Sequence, residues 1–157
     1  MKKTLIITFI AGLFTYSNAF DTKYHVGATA GKIDGESYTQ FGVGYTSSTK
    51  FDNDVIFAFG NSVSYGNVNS SASVTTVDMD AKLGYELIEN LTGYGLGTGA
   101  VQFFDSSTYI GLGYGAALEY RITSNMAIEG SYKTMHMSKS NHSYDYDTTN
   151  LAVKFGF

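Results

Sequence analysis

The chain has 157 residues, enough for one domain, with no Cys, no Pro and no Trp. The absence of cysteine excludes a disulfide framework and any thiolate metal site. With 18 Gly and 13 Tyr, a helical bundle is disfavoured, because Gly is a poor helix former and Tyr favours strands. The formal charge is −4, which argues against nucleic acid as a partner.

Residues 1–19 read as a secretory signal peptide. Lys2 and Lys3 form a positive n-region, a short apolar run follows to Phe14, and Ser17-Asn18-Ala19 supplies small residues for cleavage. The apolar run is shorter than the roughly 20 residues a membrane helix needs. Loss of Lys2 and Lys3 takes the formal charge from −4 to −6. Residues 20–157 remain as the expected barrel domain. They contain no apolar run long enough for a membrane helix, so any membrane crossing is by strands.

Eight alternating segments follow in order. Over 23–32, Tyr24, Val26, Ala28 and Ala30 alternate with His25, Gly27 and Thr29. An Asp34-Gly35 hairpin signal leads to 37–46, where Phe41, Val43 and Tyr45 share a face. Segment 55–65 is apolar on one face except at Asn61. Segment 74–87 has the clearest pattern: Val77, Met79, Ala81, Leu83 and Tyr85 oppose Asp78, Asp80, Lys82 and Glu86. In 92–103, Tyr94, Leu96, Thr98 and Ala100 are read as the apolar face, opposite Gly93, Gly95, Gly97 and Gly99. In 109–122, Ile110 to Ile122 oppose three glycines, Glu119 and Arg121. Segment 126–137 sets Ile128 and Tyr132 against Glu129 and Lys133. The polar stretch 138–147 reads as a loop. The last segment, 149–157, alternates Leu151, Val153, Phe155 and Phe157 with Lys154, and the sequence stops on an aromatic.

Short links between consecutive strands imply antiparallel neighbours. Eight strands suffice to close a barrel with a filled interior. The expected fold is therefore all-β, an eight-stranded antiparallel up-and-down transmembrane β-barrel. A soluble barrel would place its apolar faces inside. Mid-strand charges opposite the apolar faces, close to glycines that would make room inside a narrow barrel, favour the inverted arrangement. Aromatics at the ends of the apolar faces fit interfacial girdles. Tyr24, Tyr45, Tyr85, Tyr94 and Tyr120 mark one end, with Phe155 and Phe157; Tyr65, Phe103 and Tyr109 mark the other. The inward set is then Asp78, Asp80, Glu86, Glu119 and Glu129 against Lys82, Arg121, Lys133 and Lys154. This near-neutral set predicts an ion-paired, largely closed lumen, which His25 joins. Simple hairpin registers put Lys154 across from Glu129 and Lys82 across from Gly97.

The signal peptide, the eight segments, the sequences LGYELIENLTGYG and LEYRITSNMAIEGSY, and the terminal FGF together resemble small Gram-negative outer-membrane β-barrels of the OmpA/OmpX and opacity-protein type. The resemblance implies outer-membrane localisation with both mature termini periplasmic. It implies outer-membrane lipid and lipopolysaccharide as surroundings, and barrel-assembly machinery and periplasmic chaperones during biogenesis, with Phe155 and Phe157 as the assembly signal. It implies a non-enzymatic monomer in a structural or surface-contact role (envelope integrity, adhesion or ligand contact), and admits a host or surface ligand at the outer loops. A narrow porin-like channel for small solutes is the alternative. Neither cofactor nor metal is expected: the glycine runs at 95–99 and 111–115 keep strict period 2 with no helix after them, unlike a phosphate loop. Asp78/Asp80 and Asp145/Asp147 are read as lumen and loop carboxylates.

His136-x-Ser138 is the one pair with nucleophile chemistry. It resembles the His-x-Ser element of the outer-membrane lipid A deacylases, which are also eight-stranded barrels. Lys139 stands where that family places Asn, and an acid on the adjacent strand is required. A lipid A deacylase-like enzyme using His136 and Ser138 is thus the second alternative.

Overall fold

The computed structural model describes residues 21–156, apart from 34, 52–53, 69–71, 105–106 and 141. The expected leader and Phe157 lie outside the described residues.

Eight strands run in order: β1 (Asp21–Ile33), β2 (Glu36–Lys50), β3 (Val55–Val68), β4 (Ala72–Ile88), β5 (Leu91–Phe104), β6 (Ser107–Thr123), β7 (Met126–Lys139) and β8 (His142–Gly156). Each pairs antiparallel with the next, and β8 pairs with β1, closing the barrel and removing both sheet edges. Among the described residues no element is helical. One end of the barrel carries the start of β1, the end of β8 and the connections β2–β3, β4–β5 and β6–β7; we call it the turn end. The other, the loop end, carries the remaining four connections.

The apolar faces point outward. Phe41, Leu83, Ile110, Leu112, Tyr114 and Leu151 are all exposed on the outer wall. Water would not tolerate such a belt, whereas lipid requires it, so the surface is that of a membrane-spanning barrel. Cross-strand partners trace a spiral of β-branched residues around this wall. Ile110 leads through Val101, Val77, Val63, Val43, Val26, Val153 and Ile128 back to β6 at Tyr120. One circuit therefore displaces the register by ten residues, the stagger that accompanies strongly tilted strands.

Strand β5 is turned inside out relative to the sequence expectation. Tyr94 is only 7% exposed, and Leu96, Thr98 and Ala100 are buried with it, whereas Gly95 and Gly97 face outward. A single extra residue causes this. The β4–β5 connection is a two-residue turn, Glu89-Asn90, with Asn90 in the left-handed region (φ 66°). Ile88 pairs with Leu91, but Glu86 then pairs with Thr92, leaving Leu87 as a bulge. A one-residue slip moves every side chain to the opposite face. Lys82 consequently pairs with Leu96, not Gly97, and Tyr94 leaves the girdle for the lumen. Gly84 makes that possible: a Cβ there would strike the Tyr94 ring.

Two smaller corrections follow from strand parity. Tyr109 is inward and buried, its ring 4.9 Å from that of Tyr144, edge to face. The stretch 138–147 is not a loop but the tight hairpin of β7 and β8, with Tyr144 and Tyr146 inward and Ser143, Asp145 and Asp147 outward. Tyr24, Tyr85 and Tyr120 are exposed on the outer wall at the turn end, and Phe155 stands there too. Tyr45 is on the same wall by register but only 8% exposed, and its hydroxyl accepts a 2.8 Å hydrogen bond from Asn61. That bond satisfies the one polar break in the apolar face of β3.

The β5 inversion has a direct test in urea unfolding of the refolded protein. Gly84→Leu, which would force an aromatic ring to move, is expected to lower stability by about 2 kcal/mol or to block refolding. Gly97→Leu, with nothing within 4 Å of its Cβ, is expected to change it by less than about 0.5 kcal/mol. The reverse ranking would restore the sequence-based parity.

Candidate functional site: the lumen and the outer rim of β7–β8

The lumen is filled in two layers. Towards the turn end, four charges from four strands form one network. Lys154 on β8 lies 2.5 Å from Glu129 and 2.7 Å from Glu119, and Lys82 lies 2.6 Å from the other oxygen of Glu129. Lys154 is 2% exposed and Lys82 and Glu129 are as deeply buried. Two acids and two bases make the cluster neutral, which a confined interior requires because desolvating an unpaired charge costs several kcal/mol. Lys154 and Glu129 are not direct cross-strand partners: Lys154 pairs with Ala127 and Glu129 with Ala152. The two alanines leave room for the side chains to meet diagonally. Lys23 reaches Glu119 from below at 4.0 Å. Tyr94 covers Lys82, whose ammonium stands 5.9 Å from the ring centroid. Tyr94 also packs with Ile56, Ala58, Leu96 and Ala117.

Towards the loop end a second layer is amide, hydroxyl and aromatic. Gln40 and Gln102 each donate to Thr76, at 3.0 and 2.9 Å. Tyr146 donates to Gln40 at 3.0 Å, and Tyr144 donates to Gln102. Tyr38 stacks on Tyr146, and Ile33, Val68, Val74, Met135 and Met137 close the space around them. Sequence reasoning missed this layer; its signal was the alternation of Tyr144 and Tyr146, whose outward neighbours are polar and so look like a loop.

Between the layers lies a cavity of about 50 Å³, lined by His25, Ser62, Asp78, Asp80, Lys133 and Thr148 among others. It has room for a few water molecules. Lys133 pairs with Asp80 at 2.8 Å and Ser62 donates to Asp78 at 3.3 Å. His25 Nδ1 and one oxygen of Asp78 are buried beside it without a hydrogen-bond partner. Among the described residues no group of three or more His, Cys, Asp or Glu could hold a metal.

Glu86 and Arg121 lie inward by register but at the turn-end rim, outside this network. Glu86 pairs with Lys50 at 2.9 Å, and Lys50 also meets Asp54 at 2.9 Å. The Glu86 carboxylate also accepts from the Asn90 amide at 3.3 Å.

His136 and Ser138 lie on the outer wall of β7, one pleat apart and both exposed. The acid that the sequence seemed to lack is present. Asp145 is the cross-strand partner of His136, and its carboxylate lies 3.0 Å from His136 Nδ1. The pair is open, with side-chain exposures of 65% and 80%.

No family model and no curated protein matches this sequence. Solved structures do. Neisserial surface protein A is 15% identical over 89% of this chain and 98% of its own, with a TM-score of 0.62. Ail, the attachment invasion locus protein of Yersinia pestis, is 20% identical over 89% of this chain and all of its own, also at 0.62. The outer-membrane enzyme PagL is 13% identical over 85% of this chain and 99% of its own, at 0.57. The chain has the fold of a small eight-stranded outer-membrane β-barrel. At these identities the likeness carries the fold alone, which hosts adhesion proteins and enzymes alike.

Removing one charge from the lumen tests its energetics. Lys154→Met leaves Glu119 with only Lys23 and Glu129 with only Lys82. It is expected to destabilise the barrel by about 3–5 kcal/mol in urea unfolding. Adding Glu119→Gln to Lys154→Met should recover part of that loss. No loss in the single variant would show that the network contributes nothing.

Proposed function

We propose that this protein is an integral outer-membrane barrel that acts at its outer surface and lipid interface and does not conduct through its lumen. The reading has it exported through a cleaved leader, with the turn end periplasmic and the loop end outermost. The observation that carries it is the double filling of the lumen. A solute would have to break the Lys154–Glu129–Lys82 network and then displace the Gln40–Thr76–Gln102 layer. Breaking a buried pair without replacement costs several kcal/mol. A structural or surface-contact role is therefore favoured over a narrow pore. Ail has been solved with the heparin analogue sucrose octasulfate, and a surface ligand at the loop end belongs to the same reading. With connections as short as the one between Lys139 and His142, those contacts rest on the barrel rim rather than on long loops.

A second reading is favoured by one observation, the His136–Asp145 hydrogen bond. His136 oriented by Asp145, with the Ser138 hydroxyl on the same face, is the base–acid–nucleophile order of an acyl hydrolase. Under this reading the acyl substrate approaches from the lipid side.

Planar bilayer recording separates the pore from the closed barrel: purified protein is expected to show no stable conductance, and a steady open level would overturn the main reading. Mass spectrometry of lipid A from cells expressing the protein decides the second. The acylation pattern is expected to stay unchanged. Loss of one acyl chain, abolished by Ser138→Ala, would establish the hydrolase.

A further inference from the structure

Charge is balanced in the turn-end layer of the lumen but not beside the cavity. The titratable groups on the cavity wall are His25 from β1, Asp78, Asp80 and Lys82 from β4, Glu129 and Lys133 from β7, and Tyr146 from β8. Among the described residues β2 and β3 bring only glycine and uncharged polar residues to it. Three carboxylates therefore face two lysines. Glu129 is shared by Lys82 and Lys154, and Lys133 is engaged by Asp80 at 2.8 Å. Asp78 is the carboxylate left over. Its cross-strand partners are Ser62 and Ala100, neither of them basic, and its one hydrogen bond comes from Ser62. Among the described residues three buried side-chain atoms lack a hydrogen-bond partner, and two of them, Asp78 Oδ1 and His25 Nδ1, belong to residues that line this one cavity.

An isolated charge in a confined interior is costly enough that the group is neutralised instead. Three sources of one positive charge are open to Asp78: an alkali cation in the cavity, an imidazolium at His25, or a proton on Asp78 itself. The geometry separates them. An alkali cation would enter a wall that already carries Lys82 and Lys133, and both repel it. Protonating His25 leaves two charges apart where there was one. Its ring also packs against β2, where a Cβ on Gly44 would stand 2.6 Å from Nε2, and its Nδ1 has no acceptor for a second proton. A proton on Asp78 removes the charge outright and needs no further ligand. Ser62 donates to Oδ2 at 3.3 Å. Oδ1, the oxygen without a partner, is thus the one free to hold the proton.

We propose that the cavity is a proton-binding site, in which Asp78 is a neutral carboxylic acid with its proton on Oδ1, bridged by cavity water to His25 Nδ1. The bound proton supplies the positive charge that the lysines do not, and brings the layer between the two fillings to neutrality. His25 is then the neutral acceptor, with its own hydrogen on Nε2. Asp80 and Lys133 remain the charged pair of this layer. The inference uses the closed lumen of the reading above. Bilayer recording tests that closure by itself, so the two can fail separately.

Infrared spectroscopy of the refolded barrel in nanodiscs reads the proton directly. At neutral pH ordinary carboxyl groups are ionised, so a protonated carboxylic acid stands out as a separate carbonyl band. One such band is expected in the full chain, shifted in heavy water and lost in Asp78→Asn. In His25→Leu it is expected to persist at a changed frequency, and an unchanged frequency would overturn the bridge to His25. No band, a band that survives Asp78→Asn, or a band seen only when alkali salts are replaced by choline would overturn the proton as occupant. Urea unfolding supplies a second readout. Asp78→Asn exchanges one neutral group for another and is expected to leave the midpoint unchanged. Asp80→Asn strips Lys133 of its partner and is expected to raise the unfolding constant about a hundredfold. An equal loss in Asp78→Asn, or its failure to fold, would show that Asp78 is charged and would overturn the proposal.

Discussion

Lys154 held between Glu119 and Glu129 is the interaction on which the rest depends. An ammonium at that depth cannot exist unless carboxylates from β6 and β7 meet it. Those carboxylates can meet it only if β6, β7 and β8 all turn the same parity inward. Once that parity is set, Leu118, Ile128 and Val153 must face outward, and the apolar belt follows. Charge pairing inside and apolar exposure outside are one constraint, because adjacent residues of a strand point to opposite faces.

The same constraint explains the bulges. Both tight turns preceded by a bulge lie at the turn end: Leu87 is the extra residue before Glu89-Asn90, and the register also shifts between Arg121 and Thr123. The Asn90 carbonyl accepts from Arg121, and the Asn125 carbonyl accepts from Gly156, so each turn also braces the next strand. The β4–β5 bulge brings Tyr94 inward over Lys82. The turns therefore set which residues line the lumen, not merely where strands end.

Strand existence and closure were legible in the sequence because period 2 is strong wherever one face is charged, as in Asp78–Glu86 or Glu119–Arg121. Parity failed on β5, where neither face is charged and one face is glycine. A lipid-facing wall tolerates bare glycine, since nothing need pack there, and apolar Tyr94 and Leu96 pack as well inside as out. The β7–β8 tip failed for the opposite reason. Its outward face is polar and its inward face aromatic, so the usual contrast is reversed and the stretch resembles a loop. That misreading hid the acid: Asp145 looked like a loop carboxylate until the register set it beside His136. His136 and Ser138 were legible from spacing alone, but their partner required the ladder.

Nuclear magnetic resonance of lysine side chains in nanodiscs tests the paired lumen most directly. Ammonium protons of exposed lysines exchange with water too fast to be seen. Those of Lys82, Lys133 and Lys154 are expected to persist as slowly exchanging signals, with Lys154 coupled to the carboxylates of both Glu119 and Glu129. Absence of any protected ammonium signal from these three residues would contradict the charge-paired, closed interior.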